Sequence, residues 1–488
     1  MDQTSFAAIE SGCWIRFHGM QARACTIAGL VGLLTGCLET ARVFSEAPGD
    51  AKLVARDSEH PKDFFDRAPG PASPDLSLFP VERPLSSAAA LSDAYWTALS
   101  DLDLSALRNA ARSDPEIGFA EGIAMLAAGD QEKAESAFVA MSMQAIDIDV
   151  AVAARIMLAR TLLYEHKWEM LRDLFHSASL GADRSNTSDL ERWGQAFASA
   201  GQQTMTLPQD PVALRLRTSS VGTPTIRVRI NGKEYEFWLD TGSSMTVLSS
   251  SVASDAKVPI ISLDTLSVGT FEGIAPVRPA IVARMEIGPI VFGNSPAIVM
   301  DAALMRIKST DQEVTTGGLR VDGIIGWDII RQLDIVMDYA NGVITLGRPA
   351  HLDTNGTAFQ NLTWLGKPLV EVRTKPGGRF RFRLDTGAQA TFLNAAAVEK
   401  MGVATRTHEG RAFGFAQTGG SMDRIAPTLI LSVGGKTLRL ESVMVYGPTF
   451  SSLINSDGIL GSDISRFGKI RIDATNGLFS VGEQAISN

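Results

Sequence analysis

The hydrophobic pattern changes character three times along the chain. An uncharged apolar run at 26–34 follows Arg16 and Arg23 and ends in Leu34-Thr35-Gly36-Cys37. At about nine residues it is too short to cross a bilayer as a helix and has the size of a signal-peptide core. From 41 to 84 no period is visible. The segment is rich in Pro, Asp, Ser and Ala, with seven prolines from Pro48 to Pro84, the composition of a spacer. From 86 to about 201 proline is scarce and apolar residues recur at spacings of three and four, as in Leu104, Leu107 and Ala111, the signature of helices with one buried face. Residues 118–141 predict a helix hairpin turning at Gly129-Asp130. Residues 151–175 predict another, with Ala159, Tyr164, Trp168 and Phe175 on its inner faces. From about Val212 short β-branched runs take over, broken by Gly and Pro. The runs 225–230 and 235–239 flank Asn231-Gly232, a strong hairpin signal.

Length and composition narrow the function classes. A chain of 488 residues is long enough for about three domains, and 45% hydrophobic with 20% charged residues is a globular composition. The formal net charge of −9 argues against binding nucleic acid, because neutralising phosphates needs surplus cations. The 44 glycines suit a turn-rich β protein. Cys13, Cys25 and Cys37 all precede the predicted body, so the body has no disulfide framework, thiolate metal site or cysteine nucleophile. The six histidines are scattered with no zinc-type helical pair, and no Gly-x-Ser-x-Gly elbow surrounds any serine. No cofactor and no metal site are expected.

An internal duplication carries the chemistry. Phe237-Trp238-Leu239-Asp240-Thr241-Gly242-Ser243 returns, at an offset of 145, as Phe382-Arg383-Leu384-Asp385-Thr386-Gly387-Ala388. Asp322-Gly323-Ile324-Ile325-Gly326 returns at an offset of 135 as Asp457-Gly458-Ile459-Leu460-Gly461, and Asp328, Asp338 and Asn341-Gly342 repeat as Asp463, Asp473 and Asn476-Gly477. One unit is therefore present twice, with an insertion of ten residues in the first copy between Val247 and Leu319. Two carboxylates brought close together cannot both ionise, so they share a proton and can serve as acid and base around one water.

An apolar strand ending in Asp-Thr-Gly, with an apolar-apolar-Gly downstream, resembles the pepsin and retropepsin aspartic proteases. Two copies in one chain resemble a fused retropepsin dimer, over roughly 212–482. The resemblance implies a bilobal all-β acid protease fold behind the α-helical region. It implies that Asp240 and Asp385 form the catalytic dyad and that Gly242 and Gly387 let the two loops meet. It also implies that Thr241 and Thr386 interlock across the lobes and that Gly326 and Gly461 support the strand crossing behind each loop. Ser243 is expected to bond the outer oxygen of Asp240. Ala388 lacks that hydroxyl, which makes Asp385 the expected holder of the shared proton. Flap hairpins are expected at 266–277, with Gly269, and at 413–421, with Gly414; exposed hairpins without a gating role are the alternative. The repeated Asp322, Asp328, Asp338, Asp457, Asp463 and Asp473 are expected to serve turns and caps.

The segment ending at Cys37 resembles a bacterial lipobox. This implies cleavage before Cys37, lipid on its thiol, and export to a membrane-anchored position on the periplasmic face of the outer membrane; a plain secretory signal is the alternative. The helix hairpins resemble degenerate tetratricopeptide units able to carry a protein partner, or are an irregular helical domain. The expected organisation is a signal at 1–36, a linker at 37–84, a helical domain at 85–205 and two lobes at 210–350 and 355–488. Its expected activity is exported aspartic endopeptidase acting on a polypeptide. The alternative is a silent binding protein that works through its helices.

Overall fold

Short polar caps cut the first half of the chain into helices. The computed structural model describes residues 94–143, 147–176, 192–219, 222–262, 265–270, 273–307, 319–350, 360–374, 377–412, 420–446 and 454–482. The expected signal, the lipidation residue Cys37, the linker and the tip glycine Gly414 lie outside them. Ser113 and Glu116 form a reciprocal capping box at the start of Asp114–Ala127, with Pro115 in its first turn. Asp130 caps Gln131–Ser142 and Asp147 caps Ile148–Tyr164. Between the first pair Gly129 turns the chain with φ +84°, so the hairpin reverses at Gly129-Asp130 as the sequence suggests. Ile148–Tyr164 and Trp168–His176 form the second hairpin. Ala159, Tyr164 and Trp168 are buried in it, while the Phe175 side chain lies outside the described residues.

The β region is two barrels of one design. In the first, Pro224–Ile230 and Lys233–Leu239 pair around Asn231 and Gly232, whose φ values of +49° and +87° match the twist of a two-residue hairpin. Going round the barrel, Ile290–Met300, Val247–Ser249, Gly323–Ile325, Lys233–Leu239, Pro224–Ile230 and Gly273–Ile287 follow one another, and the last pairs back onto the first. The second barrel repeats this order with Lys436–Tyr446, Phe392–Asn394, Gly458–Leu460, Arg379–Leu384, Pro368–Arg373 and Gly420–Val433. Closure removes most free strand edges. The extra residues of the first copy fall between Met300 and Gly323, where Arg306–Ile307 pairs with Leu319–Arg320.

A five-stranded sheet joins the lobes. Asp334–Asp338 from the first copy pairs antiparallel with Ile470–Asp473 from the second, with Ile335 opposite Ile472. Val212–Arg215, Val343–Gly347 and Leu478–Val481 complete the sheet. Arg471 donates two hydrogen bonds of 2.9 Å to the Asp334 carboxylate across the junction.

The helical region is fastened to both lobes. Arg331 of lobe 1 donates to the Tyr164 carbonyl at 2.5 Å and lies over the Tyr164 ring, which meets the Trp364 ring of lobe 2 edge-on at 4.6 Å. Arg381 of lobe 2 donates to the carbonyls of Asp101 and Leu102, and the Asn455 amide donates to the Ser100 carbonyl at 2.9 Å. An α-helical region followed by a bilobal all-β body is thus the observed architecture.

Ile472 is 1% exposed at the lobe junction. Ile472→Ala is expected to cost about 2–5 kcal/mol, the range for emptying a buried aliphatic site. A urea melt followed by fluorescence measures this, and a cost below about 0.5 kcal/mol, the size of a surface substitution, would contradict a load shared across the junction.

Candidate active site

Each Asp-Thr-Gly loop is held from behind by its own lobe. In lobe 1, Gly323–Ile325 runs parallel to Lys233–Leu239 and antiparallel to Val247–Ser249. The Asp240 amide donates to the Ile325 carbonyl at 3.1 Å, and the Trp327 amide donates to the Ser243 carbonyl at 2.7 Å. In lobe 2, Gly458–Leu460 is inserted between Arg379–Leu384 and Phe392–Asn394 in the same way. The Asp385 amide donates to Leu460 at 3.0 Å, and the Ser462 amide to Ala388 at 2.7 Å. A Cβ on Gly326 would strike the Met245 backbone, and one on Gly461 the Ala390 backbone. These glycines allow the crossing strand to lie directly on the loop.

The two loops then lock into each other. The Thr241 amide donates to Thr386 Oγ1 at 3.0 Å, and Thr241 Oγ1 donates to the Leu384 carbonyl at 2.9 Å. The reciprocal bonds are Thr386 N to Thr241 Oγ1 at 3.0 Å and Thr386 Oγ1 to the Leu239 carbonyl at 2.7 Å. All four are buried. A Cβ on Gly242 would collide with the Asp385 carboxyl, and one on Gly387 with the Asp240 carboxyl. The lobes therefore bring Asp240 and Asp385 together, 2% and 0% exposed, close enough for the charge of one to act on the other.

The pair is not symmetric. Asp240 Oδ1 accepts the amides of Gly242 at 2.8 Å and Ser243 at 3.2 Å; Asp385 Oδ1 accepts the Ala388 amide at 2.9 Å. Burial and the neighbouring Asp385 charge push Asp240 well above the ordinary carboxylate range. Arg383 donates from Nη2 to Asp385 Oδ2 at 2.5 Å, an ion pair whose side chains are 8% and 1% exposed. One expectation is corrected here. The Ser243 hydroxyl donates to the Met245 carbonyl at 2.8 Å instead of bonding the Asp240 carboxyl. Arg383 was visible in the sequence as the last of three alternating arginines in Arg379–Leu384, at the position Trp238 takes in the other copy.

The recurring acids are tied to the frame. Asp328 Oδ1 accepts from Thr246 Oγ1 at 3.2 Å, and Asp463 Oδ1 accepts from Thr391 Oγ1 at 2.7 Å. Thr246 and Thr391, absent from the expected site, repeat at the offset of 145 that relates Asp240 to Asp385. Asp322 and Asp457 accept the amides of Glu236 and Arg381, and Asp338 and Asp473 each cap a turn through Asn341 and Asn476. Gly269 lies on Leu266–Thr270, which pairs with Gly273–Ile287 in a hairpin from Leu266 opposite Val277 to Thr270 opposite Gly273. In lobe 2, Arg406–Ala412 pairs with Gly420–Val433, and Ala412 faces Gly420. Among the described residues no group of three or more His, Cys, Asp or Glu side chains is placed to hold a metal ion.

Burial pushes Asp328 up to about 7. A carboxyl raised on folding adds stability in full below its unfolded value, and the benefit is lost as pH rises through the folded value. That loss is at most about 4 kcal/mol for a shift of this size. Asp328→Asn is expected to flatten the fall in melting temperature between about pH 5 and 8. Melts of both proteins with the same slope would sink this assignment.

Residues 226–329, spanning Asp240 and Gly326, match the family model described as aspartyl protease. No curated protein matches the chain. Among solved structures, a retropepsin-like aspartic protease from Rickettsia conorii is 14% identical over 30% of this chain and 94% of its own, with a TM-score of 0.19. The family match lies in lobe 1 and lobe 2 repeats its strand order, so the β half of the chain is a two-lobed fold of the aspartyl protease type.

Proposed function

We propose that the protein is an exported, lipid-anchored aspartic endopeptidase, with Asp240 and Asp385 as its catalytic dyad. The observation that carries this reading is the buried, facing pair of carboxyls held by four reciprocal threonine bonds across the lobes. A pair with one proton can take a proton from water and give one to a peptide carbonyl oxygen. The water oxygen then attacks the carbonyl carbon. When the intermediate collapses, the C–N bond breaks, the amine nitrogen takes a proton, and the dyad is left with one. Thr241, Gly242, Thr386, Gly387, Gly326 and Gly461 hold the two carboxyls in place. The polypeptide lies extended between the lobes under the hairpin carrying Gly269 and the paired strands Arg406–Ala412 and Gly420–Val433, using main-chain hydrogen bonds as an added strand does. The apolar run before Leu34-Thr35-Gly36-Cys37 supports the anchor, and with it a place on the periplasmic face of the outer membrane. The helical region, fixed to both lobes, is offered as the seat of a protein partner.

Cleavage of a mixed peptide library across about pH 3 to 8 tests the activity. Activity falls at high pH when Asp240 loses its proton, and at low pH when the second carboxyl gains one. Because Asp240 is raised, the upper limb is expected above the ordinary carboxylate range. Asp240→Asn and Asp385→Asn should each lower the rate at least ~100-fold; cleavage surviving in either variant, or no cleavage by the intact protein, contradicts the reading. Mass spectrometry of the membrane-extracted native protein should find an N-terminus at Cys37 carrying diacylglycerol, absent in Cys37→Ser. A soluble, unmodified mature chain overturns the anchor.

A further inference from the structure

We propose that Arg383 is a positioning residue that sets the direction of the dyad: it holds Asp385 as the anion and leaves the single proton on Asp240. The inference rests on the reading of these aspartates as the water-activating pair.

The geometry is specific to one side of the site. Arg383 is the penultimate residue of Arg379–Leu384, and Asp385 follows directly after the strand's end, within 2.5 Å of the guanidinium. Its strand neighbours are Leu369 and Ile459, both buried and uncharged. The guanidinium therefore meets its counter-charge in Asp385 rather than in solvent, and a charge-assisted bond is strong there. The equivalent position in lobe 1 is Trp238, 3% exposed, which brings bulk and no charge. The charged groups the structure sets against Asp385 are Arg383 from its own strand and Asp240 from the opposite lobe. Thr241 and Thr386, packed beside it, are neutral. The buried Asp328 and Asp463 are turned to Thr246 and Thr391.

This arrangement assigns the steps. Asp385 accepts the water proton and Asp240 donates to the carbonyl oxygen. Arg383 makes Asp385 a weaker base but keeps it ionised in more acid solution, which widens the acid side of the working range.

The test compares pH–rate profiles of the full chain with Arg383→Leu and Arg383→Lys. In Arg383→Leu the acid limb is expected to move up by about one pH unit or more, a tenfold loss at the acid end, with little change in KM. Arg383→Lys should restore most of it. A uniform loss at every pH without movement of the limb would mean a merely structural arginine and overturns the proposal, as do superimposable profiles. A second measurement is independent of turnover and of whether the leucine variant folds: a ¹³C NMR titration of aspartate carboxyls in the unmutated protein, assigned with Asp240→Asn and Asp385→Asn. Asp385 is expected to stay ionised to lower pH than Asp240. That order in a protein that cleaves nothing leaves the proposal standing and removes the protease reading; the reverse order in an active protease does the opposite.

Discussion

Two carboxyls facing each other at the boundary between two barrels, both almost wholly buried, are an arrangement a protein holds only at some cost. A buried charge is strongly disfavoured unless it is paired, and here two like groups face each other. The rest of the β body can be understood as the support that keeps them there. Each loop is bonded from behind to the crossing strand of its own barrel. Each threonine then spends both its hydroxyl and its amide on the opposite loop. Glycines stand where any side chain would strike a carboxyl or the supporting backbone. Remove one layer and the next has nothing to bear on.

The support extends outward through buried polar groups instead of apolar packing alone. Thr246 and Thr391 link the active-site loops to Asp328 and Asp463, which begin the helical turns after the crossing strands. From there Arg331 reaches the end of the helix Ile148–Tyr164. Contacts to lobe 2 come from Trp364, Arg381 and Asn455. The helical region thus grips both halves, and its position is fixed relative to the loops that carry the aspartates.

Much of this was legible before any coordinates because duplication leaves a fixed offset. The offset of 145 places Asp240 with Asp385, and the same 145 residues separate Thr241 and Thr386 where they bond. The helix hairpins were readable from Gly129-Asp130, since a positive-φ glycine followed by a capping aspartate has one local meaning. What escaped was the choice among partners. The Ser243 hydroxyl turned to the Met245 carbonyl of its own loop. Arg383 stood in plain view, but strand alternation gives a side chain's face and not its distance from a neighbour. The missing hydroxyl at Ala388 gave no sign of that 2.5 Å contact.

The lobe junction, with Asp334–Asp338 against Ile470–Asp473, belongs to a single polypeptide, and this frees the halves from having to be identical. In an assembly of two equal subunits, every substitution is made twice. An arginine beside one aspartate would stand beside the other as well, both acids would be held as anions, and the proton between them would be lost. Fusion lets a tryptophan occupy one seat and a cation the other, so polarity can be inherited by one flank alone.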